Sequence, residues 1–238
     1  MMNIRVFSDP ENTAREAAVF IADRARAAVE KKGLFVMAVS GGHTPWLMLR
    51  ELAGRDLPWN SVHVVQVDER VAPEGHPDRN LTHIRESLLH SPLPSEHIHA
   101  MRVESPDLEE ASREYSRTLQ SIAGSLPELD LVHLGLGPDG HTASLVPGDP
   151  VLEVNDADVA ATGIYQGRRR MTLTYPILNR ARSTLWLVTG AEKVPMLCRL
   201  QNGDVSIPAG RVRSDHAVVL ADRAAAGQSD SGYATKLA

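Results

Sequence analysis

The chain has 238 residues and a formal net charge of −5, which excludes a general nucleic-acid-binding surface but leaves room for a local basic pocket. Hydrophobic residues at 42% and charged residues at 23% are close to the averages of globular proteins, so the composition argues against disorder. A chain of this length can bury a large core in a single α/β unit.

The predicted helices are identified by their caps and by apolar residues recurring at helical spacing. The first is capped by Asp9, has Pro10 in its first turn and ends at Gly33. The second begins at Pro45, and Asn80 is a candidate cap for the third. The predicted helices span residues 9–32, 45–54, 81–90 and 107–123, with another after Lys193.

The predicted strands are mostly continuous apolar runs, which are typical of strands covered on both faces in a parallel sheet. The segment 170–175 alternates instead, so it is a candidate antiparallel strand. The predicted strands span residues 34–39, 62–67, 130–137, 170–175, 184–189 and 216–222. We expect residues 224–238 to be frayed. The pattern predicts one α/β domain over 1–238, with a doubly wound, mostly parallel sheet and helices on both faces.

Four polar segments each follow directly after an apolar strand. They are SGGHTP (40–45), DERVAPEGHPDRN (68–80), GLGPDGHTAS (135–144) and GAEK (190–193). In open parallel sheets the ligand crevice lies beyond the carboxyl ends of the strands. We therefore expect the four segments to meet in one cleft.

The segment 40–45 joins a strand to a helix N-terminus, where exposed backbone N–H groups suit an anion such as phosphate. Gly41 and Gly42 let the backbone approach a ligand, and the hydroxyls of Ser40 and Thr44 add donors. The segment lacks the ending of a Walker loop and the third glycine of a dinucleotide fingerprint. The alternative is an ordinary turn that uses glycine for steric reasons.

The segment 135–144 places Asp139 and His141 between glycines at a strand end. An imidazole can serve as a base toward water near neutral pH, and Asp139 can hold its tautomer or position a substrate. The alternative is a tight loop with an exposed histidine. Without a Gly-x-Ser-x-Gly elbow, Ser144 is interpreted as a helix-start hydroxyl, and water is the expected nucleophile.

Cationic side chains accompany these loops. Arg70, after Asp68 at the end of a strand, suits an anionic group or a developing oxyanion, unless it belongs to a salt-bridged strand end. Arg170 is the member of the run 168–170 expected to point inward. Lys193 can close on the same anion, and the alternative is a solvated lysine.

Several classes of site and location are disfavoured. Pairs such as His97 and His99 do not match a recognised metal-ligand spacing, so we expect no catalytic metal. Cys198, the one cysteine, excludes an internal disulfide, and its apolar helical stretch predicts a buried thiol. The N-terminal residues lack a secretory core, and no window reaches the roughly 18 apolar residues of a membrane span. We expect a cytoplasmic protein, without nucleic-acid or membrane partners.

Taken together, the segments SGGHTP, DER with HPDRN, DLVHLGLGPDGHTASLVPG, RMTLT and GAEK resemble the 6-phosphogluconolactonase family, which is related to the glucosamine-6-phosphate deaminases. They occur in family order over residues 40–193. The resemblance implies a modified Rossmann-like sheet and hydrolysis of 6-phospho-D-glucono-1,5-lactone to 6-phosphogluconate in the pentose phosphate pathway. It implies no metal or organic cofactor. We expect a monomer or a small homo-oligomer.

The resemblance also implies roles for single residues. His141 would activate water, and Arg70 would stabilise charge on the substrate or the tetrahedral intermediate. Asp68 and Asp139 would shape the polar site. The residues implied to hold the phosphate are Ser40, Gly41, Gly42, Thr44, Arg170 and Lys193. The segment 167–169 departs from the family, which has a Pro-rich approach to the arginine at 170.

Two other functions are weighed against the lactonase. The pattern that resembles deaminases of amino-sugar phosphates is Asp-Gly-His followed by a glutamate five residues after the histidine. This chain has Val146 at that position. The deaminase pattern also has Asp-Glu-Tyr where this chain has Asp68-Glu69-Arg70. Sugar-phosphate-sensing regulators carry a helix-turn-helix segment, whereas the residues before the first predicted strand form one amphipathic helix. These features favour the lactonase.

Overall fold

The computed structural model describes residues 2–228, and within them the chain forms six α-helices and ten strands. The helices are α1 (Pro10–Lys32), α2 (His43–Ala53), α3 (Asn80–Leu88), α4 (Leu108–Ala123), α5 (Tyr175–Arg180) and α6 (Val194–Gln201). The strands are β1 (Asn3–Phe7), β2 (Phe35–Val39), β3 (Val62–Gln66), β4 (Asp68–Arg70), β5 (Ile98–His99), β6 (Leu131–Leu134), β7 (Val159–Ala161), β8 (Arg170–Leu173), β9 (Thr184–Val188) and β10 (Ala217–Asp222).

The main sheet, within residues 2–228, contains seven strands in the order β1-β10-β9-β6-β2-β3-β5, and every neighbouring pair is parallel. The predicted parallel sheet is therefore confirmed. The sequence analysis missed both edge strands, β1 and β5. Neither contains a fully buried residue, so neither carries the apolar run that identifies the central strands.

Side chains of each central strand alternate between two hydrophobic cores, one on each face of the sheet. In β2, Phe35, Met37 and Val39 pack with α1, α2 and α3, whereas Val36 and Ala38 face α4, α5 and α6. All five residues are buried, as expected for a strand covered on both sides. The prediction of helices on both faces is confirmed.

Helix α1 forms with the predicted ends. The Asp9 carboxylate accepts a hydrogen bond of 2.7 Å from the backbone N–H of Asn12. At the other end Gly33 has φ +76°, the left-handed conformation that glycine adopts without a steric penalty. Helix α2 differs from its prediction because it starts at His43, two residues before Pro45.

A second, antiparallel sheet of the order β4-β8-β7 lies beyond the main one. The chain passes between the sheets at Val67, whose N–H donates to Val39 and whose carbonyl accepts from Leu173. Residues 68–70, expected at the end of the strand 62–67, instead form the separate strand β4 and pair with β8. The antiparallel prediction for 170–175 is confirmed over 170–173. Tyr175 instead begins α5, since Pro176 suits the first turn of a helix and cannot donate to a ladder.

Two further predictions are corrected. Cys198 is exposed, because α6 buries Leu197 and Leu200 and turns the adjacent thiol away from the core. Of the tail expected to fray, residues 224–228 form hydrogen-bonded turns, and Ala225 is buried. The rest of that tail, residues 229–238, lies outside the described residues.

A buried carboxylate joins β4 to the start of α3. Glu69 is fully buried and accepts hydrogen bonds from the backbone N–H groups of Asn80 (2.8 Å) and Leu81 (2.9 Å). It also pairs with the Arg79 guanidinium at 3.0 Å. Asn80 is therefore not the helix cap that the sequence predicted. Its side-chain amide instead donates to the carbonyl of Asp68 at 2.9 Å.

Replacing Glu69 with glutamine should lower the free energy of unfolding by about 3–5 kcal/mol, because Arg79 would keep a buried charge without this partner. The matched variant is Glu104→Gln, since Glu104 binds the same guanidinium from a side chain that is 45% exposed. Its loss should stay below about 1 kcal/mol. Urea denaturation measures both values, and equal losses would contradict the assignment of Glu69 as the dominant partner.

His133 is a fully buried imidazole in the middle of the main sheet. Its Nδ1 accepts a hydrogen bond from the backbone N–H of Ser40 at 3.2 Å. Burial lowers the pKa of His133 from 6.5 to about 3. Between these two values the unfolded chain binds a proton that the folded chain does not. The contribution of the neutral His133 to the free energy of unfolding is therefore fully present above pH 6.5 and decreases as the pH falls below that value.

We expect the free energy of unfolding to decrease below pH 6.5, by at most about 1.4 kcal/mol per pH unit from His133. The His133→Asn variant keeps an acceptor for Ser40 but cannot titrate, so its stability should vary less between pH 5 and 6.5. The exposed His90, changed to asparagine, is the control and should leave this dependence unaltered. Denaturant titrations across this pH range test the prediction, which an unchanged slope in His133→Asn would refute.

Candidate active site

A cavity of about 200 Å³ opens at the carboxyl ends of four neighbouring strands, β9, β6, β2 and β3. Each of these strands runs into one of the polar segments that the sequence analysis singled out, and all four segments contribute to the cavity wall. The expected convergence is therefore confirmed. Seven of the ten predicted site residues line the cavity: Ser40, Gly41, Asp68, Arg70, His141, Arg170 and Lys193.

His141 is oriented by Asp139. The imidazole Nδ1 lies 2.5 Å from the Asp139 Oδ1, and the backbone N–H of His141 donates to the same oxygen at 3.1 Å. Although burial acts to raise it, these contacts with His141 lower the pKa of Asp139. An ionised carboxylate at Nδ1 favours the tautomer that leaves the Nε2 lone pair free. Asp139 is thus beside the cavity rather than part of its lining, in contact with the ring.

The glycines around this pair are required by close contacts. A Cβ atom on Gly137 would lie 2.1 Å from the Nδ1 atom of His141. Gly140 has φ +83°, and a Cβ atom there would approach Ile207 to 2.7 Å. The loop can therefore fold back under the imidazole only with glycine at these two positions.

Arg170 points into the cavity and is only 4% exposed. One of its terminal nitrogens contacts the Ser144 hydroxyl at 3.4 Å, and that hydroxyl donates to Asp68 at 2.6 Å. The prediction of Ser144 as a helix-start residue is wrong, since it sits in a turn and links Arg170 to Asp68. Burial lowers the pKa of Arg170, an effect that the charge of Asp68 opposes.

The other cations of the cavity are Arg70 and Lys193. Arg70 donates to the carbonyl of Asp78 at 3.0 Å, while its Nε is buried without a protein partner. The Lys193 side chain is 21% exposed and lies 3.7 Å from Glu192. The two arginines that precede β8 point elsewhere, Arg168 to Asp78 and Arg169 to Glu109. Of the run 168–170, Arg170 is the member that lines the cavity, in line with the expected inward orientation; its contact with phosphate stays a prediction.

The charge balance of the cavity favours an anion. Three cationic side chains line it, Arg70, Arg170 and Lys193, whereas Asp68 is the only carboxylate among the described lining residues. The Nε atoms of both arginines are buried and unpaired within residues 2–228. Such an arrangement attracts a small negatively charged ligand into a protein whose net charge is negative.

The predicted phosphate loop is placed differently from the expectation. The hydroxyl of Ser40 donates to the carbonyl of His133 at 3.0 Å, and that of Thr44 pairs with Thr189 at 2.7 Å. Gly42 and Thr44 do not line the cavity. Gly42, with φ +135°, precedes an α2 N-terminus that has no side-chain cap, so backbone N–H groups are the donors that remain for an anion.

Gly41 lines the cavity and also makes room for a neighbour. A Cβ atom at this position would lie 1.9 Å from the Oδ1 atom of Asn80.

Three residues that contact the site, Asn80, Glu69 and Tyr165, were not predicted from the sequence. Each of them contacts a residue that was predicted. The HPDRN segment was a signal for Asn80, whereas no sequence pattern pointed to Tyr165.

The geometry of residues 2–228 also bears on metal binding and on membrane insertion. Within residues 2–228 no group of three or more His, Cys, Asp or Glu side chains is arranged to hold a metal ion. The expected independence from a metal stays a prediction. In the same part of the chain, none of the helices combines the length and the apolar character needed to cross a bilayer.

Comparison with known proteins identifies the family. A sequence model described as glucosamine-6-phosphate isomerases/6-phosphogluconolactonase matches residues 8–221. The 6-phosphogluconolactonase of Synechocystis sp. is 40% identical over 182 residues, which are 74% of this chain and 75% of that protein.

Solved structures show the same fold. The 6-phosphogluconolactonase of Thermotoga maritima has a TM-score of 0.83 and 29% identity, covering 93% of this chain and 99% of that one. A monomeric glucosamine-6-phosphate deaminase also has a TM-score of 0.83, at 19% identity, covering 96% of this chain and 100% of that one, so it supports the fold alone. The chain belongs to the glucosamine-6-phosphate isomerase/6-phosphogluconolactonase family.

Proposed function

We propose that this chain hydrolyses 6-phospho-D-glucono-1,5-lactone to 6-phosphogluconate. The observation that carries the proposal is the carboxylate-oriented imidazole of His141 at a cavity lined by three cations. Relatives named as 6-phosphogluconolactonases, at 33–40% identity, support the same substrate. A lactone carbonyl is already electrophilic, so one base and a cationic donor are enough for its hydrolysis.

In the proposed reaction, His141 removes a proton from water as the water oxygen attacks the lactone carbonyl carbon. The negative charge moves to the carbonyl oxygen, and Asp139 stabilises the imidazolium through Nδ1. When the ring ester bond breaks, the departing ring oxygen takes the proton from the imidazolium. The products are the open-chain acid and the regenerated neutral imidazole, so His141 serves as base and then as acid.

The cations divide between two tasks in this proposal. Arg70, whose Nε lacks a protein partner, stabilises the oxyanion of the tetrahedral intermediate. Arg170 and Lys193 bind the phosphate, together with the backbone N–H groups around Gly41 and Gly42. Asp68 keeps Arg170 and Ser144 in place and limits the positive charge of the cavity.

The competing function is deamination of an amino-sugar phosphate. That reaction moves protons at the ring oxygen and between two carbons, which requires an acid and a base with separated pKa values. Val146, which cannot titrate, occupies the position of the glutamate in the deaminase pattern and is buried. The lack of that carboxylate supports the lactonase.

We further propose that the enzyme acts in the cytoplasm, within the pentose phosphate pathway, as a single domain that needs neither a metal nor an organic cofactor. We expect it to be a monomer or a small homo-oligomer. Activity that survives treatment with a chelator would support the independence from a metal.

The His141→Asn variant should lower kcat by ~10²–10⁴, the usual contribution of a positioned acid–base group, with little change in KM. The exposed His90, changed to asparagine, is the matched control because it removes an imidazole that does not line the cavity. Steady-state kinetics on freshly prepared lactone give both constants. A His141→Asn enzyme with a wild-type kcat would remove His141 from the mechanism.

The substrate class is tested by comparing three compounds at equal enzyme concentration. We expect fast acid release from 6-phosphogluconolactone and no ammonia release from glucosamine 6-phosphate. The unphosphorylated lactone should have a kcat/KM lower by roughly 10–150-fold, since it loses a charge-assisted contact in the anion pocket. Ammonia release at a rate comparable to lactone hydrolysis would instead establish the deaminase.

A further inference from the structure

One tyrosine touches both the histidine end and the arginine end of the cavity. The Tyr165 hydroxyl donates to the Asp139 Oδ2 at 3.2 Å, on the oxygen that does not face the imidazole. Its ring packs against His141 in a T-shaped arrangement, with the ring centroids 5.4 Å apart. The guanidinium carbon of Arg170 lies 4.9 Å from the centroid of the same ring, within the range of a cation–π contact.

The turn that carries Tyr165 has an unusual backbone. Tyr165 and Arg168 exchange two backbone hydrogen bonds, of 3.0 and 3.2 Å, around Gln166 and Gly167. Both central residues have positive φ, +52° at Gln166 and +78° at Gly167. This is the pattern of a tight hairpin turn, and a non-glycine residue such as Gln166 is strained in the left-handed conformation. The Gln166 side chain accepts a hydrogen bond from Arg170 at 3.2 Å.

The turn is anchored on both sides, so its strained conformation is held by the surrounding structure. On one side the Arg168 guanidinium pairs with Asp78 at 2.7 Å. On the other, the backbone N–H of Gly163 donates to the Asp149 carboxylate at 2.9 Å. Strain that persists because neighbouring contacts fix it is characteristic of functional segments.

We propose that Tyr165 is a positioning residue for the proposed lactone hydrolysis: its hydroxyl fixes Asp139, and through it His141, while its ring fixes Arg170. The proposal rests on the proposed function for its kinetic consequences. The anchored turn, in which Gln166 accepts a hydrogen bond from Arg170, sets the distance between His141 at the reacting end of the cavity and Arg170 at the anion-binding end.

The two parts of the tyrosine act on different kinetic constants. Burial, followed by the charge of Asp139, raises the pKa of the Tyr165 hydroxyl, so the group remains a donor. Its hydrogen bond disperses the charge of Asp139 and holds the carboxylate against His141, which concerns kcat. The ring contacts Arg170, which binds the substrate phosphate in ground and transition states alike and therefore concerns KM.

The experiment compares four variants with the wild type in kcat, KM and the pH profile of kcat/KM. Tyr165→Phe removes the hydroxyl and keeps the ring, and Tyr165→Leu removes both. Gln166→Ala removes the second contact on Arg170. Ile164→Ala is the control, since Ile164 adjoins Tyr165 in the chain and is 76% exposed. Thermal unfolding confirms that each variant is folded.

We expect Tyr165→Phe to lower kcat by roughly 10–150-fold, the effect of one lost hydrogen bond to a charged group, with KM nearly unchanged. The acid limb of its pH profile should move to higher pH, because an Asp139 charge that is less dispersed retains the imidazole proton more strongly. Tyr165→Leu should also raise KM, whereas Tyr165→Phe, which keeps the ring, should have a KM close to that of the wild type. Gln166→Ala should raise KM alone, and Ile164→Ala should change nothing.

A folded Tyr165→Phe enzyme with the kcat and acid limb of the wild type would overturn the proposal, as would identical kinetics for the phenylalanine and leucine variants. If the wild type itself does not hydrolyse the lactone, the proposed function fails instead. The positioning role is then decided by NMR titration of the His141 imidazole. Its midpoint should lie at higher pH in Tyr165→Phe than in the wild type, and equal midpoints would refute the role.

Discussion

The site depends on the burial of one carboxylate, Glu69, between β4 and the start of α3. An ionised group without water must be satisfied by protein donors, and Glu69 accepts hydrogen bonds from Gln66, Asn80 and Leu81 and pairs with Arg79. These contacts hold the end of β3, the strand β4 and the first turn of α3 in one arrangement. Because Asp68 and Arg70 flank Glu69 in the chain, the same contacts set where these two cavity residues lie.

The central architecture and the meeting of the loops could be predicted because both follow from local patterns. Apolar runs such as 34–39 and 184–189 are continuous and short, a composition typical of a strand covered on both faces. Parallel strands bring their carboxyl ends to one edge, so polar segments at those ends must approach one another. This reasoning located His141 and Lys193, more than 50 residues apart in sequence, at the same cavity.

What could not be predicted depends on partners that are distant in sequence. Asp68–Arg70 has a polar composition, and only β8 makes it a strand. Ser144 and Asn80 carry side chains that favour helix starts, but both side chains hydrogen-bond to Asp68 instead. Asp68 is 76 residues from Ser144 and 12 residues from Asn80. The hydroxyl of Thr44 is bound by Thr189. In each case a tertiary hydrogen bond overrides a correct local preference, which no single-sequence pattern records.

Arg170 explains why the cavity should bind an anion rather than be a structural ion-pair cluster. A guanidinium with 4% exposure requires compensation for lost water, yet within residues 2–228 no carboxylate lies within ion-pair distance of it. Its neighbours are a serine hydroxyl, a glutamine amide and an aromatic ring, all neutral. Burial lowers the pKa of Arg170; the charge of Asp68, reached through Ser144, opposes this effect, and the charge of Arg70 adds to it. The folded chain therefore holds an incompletely neutralised cation in place, and in the proposed function the substrate phosphate would supply the missing negative charge.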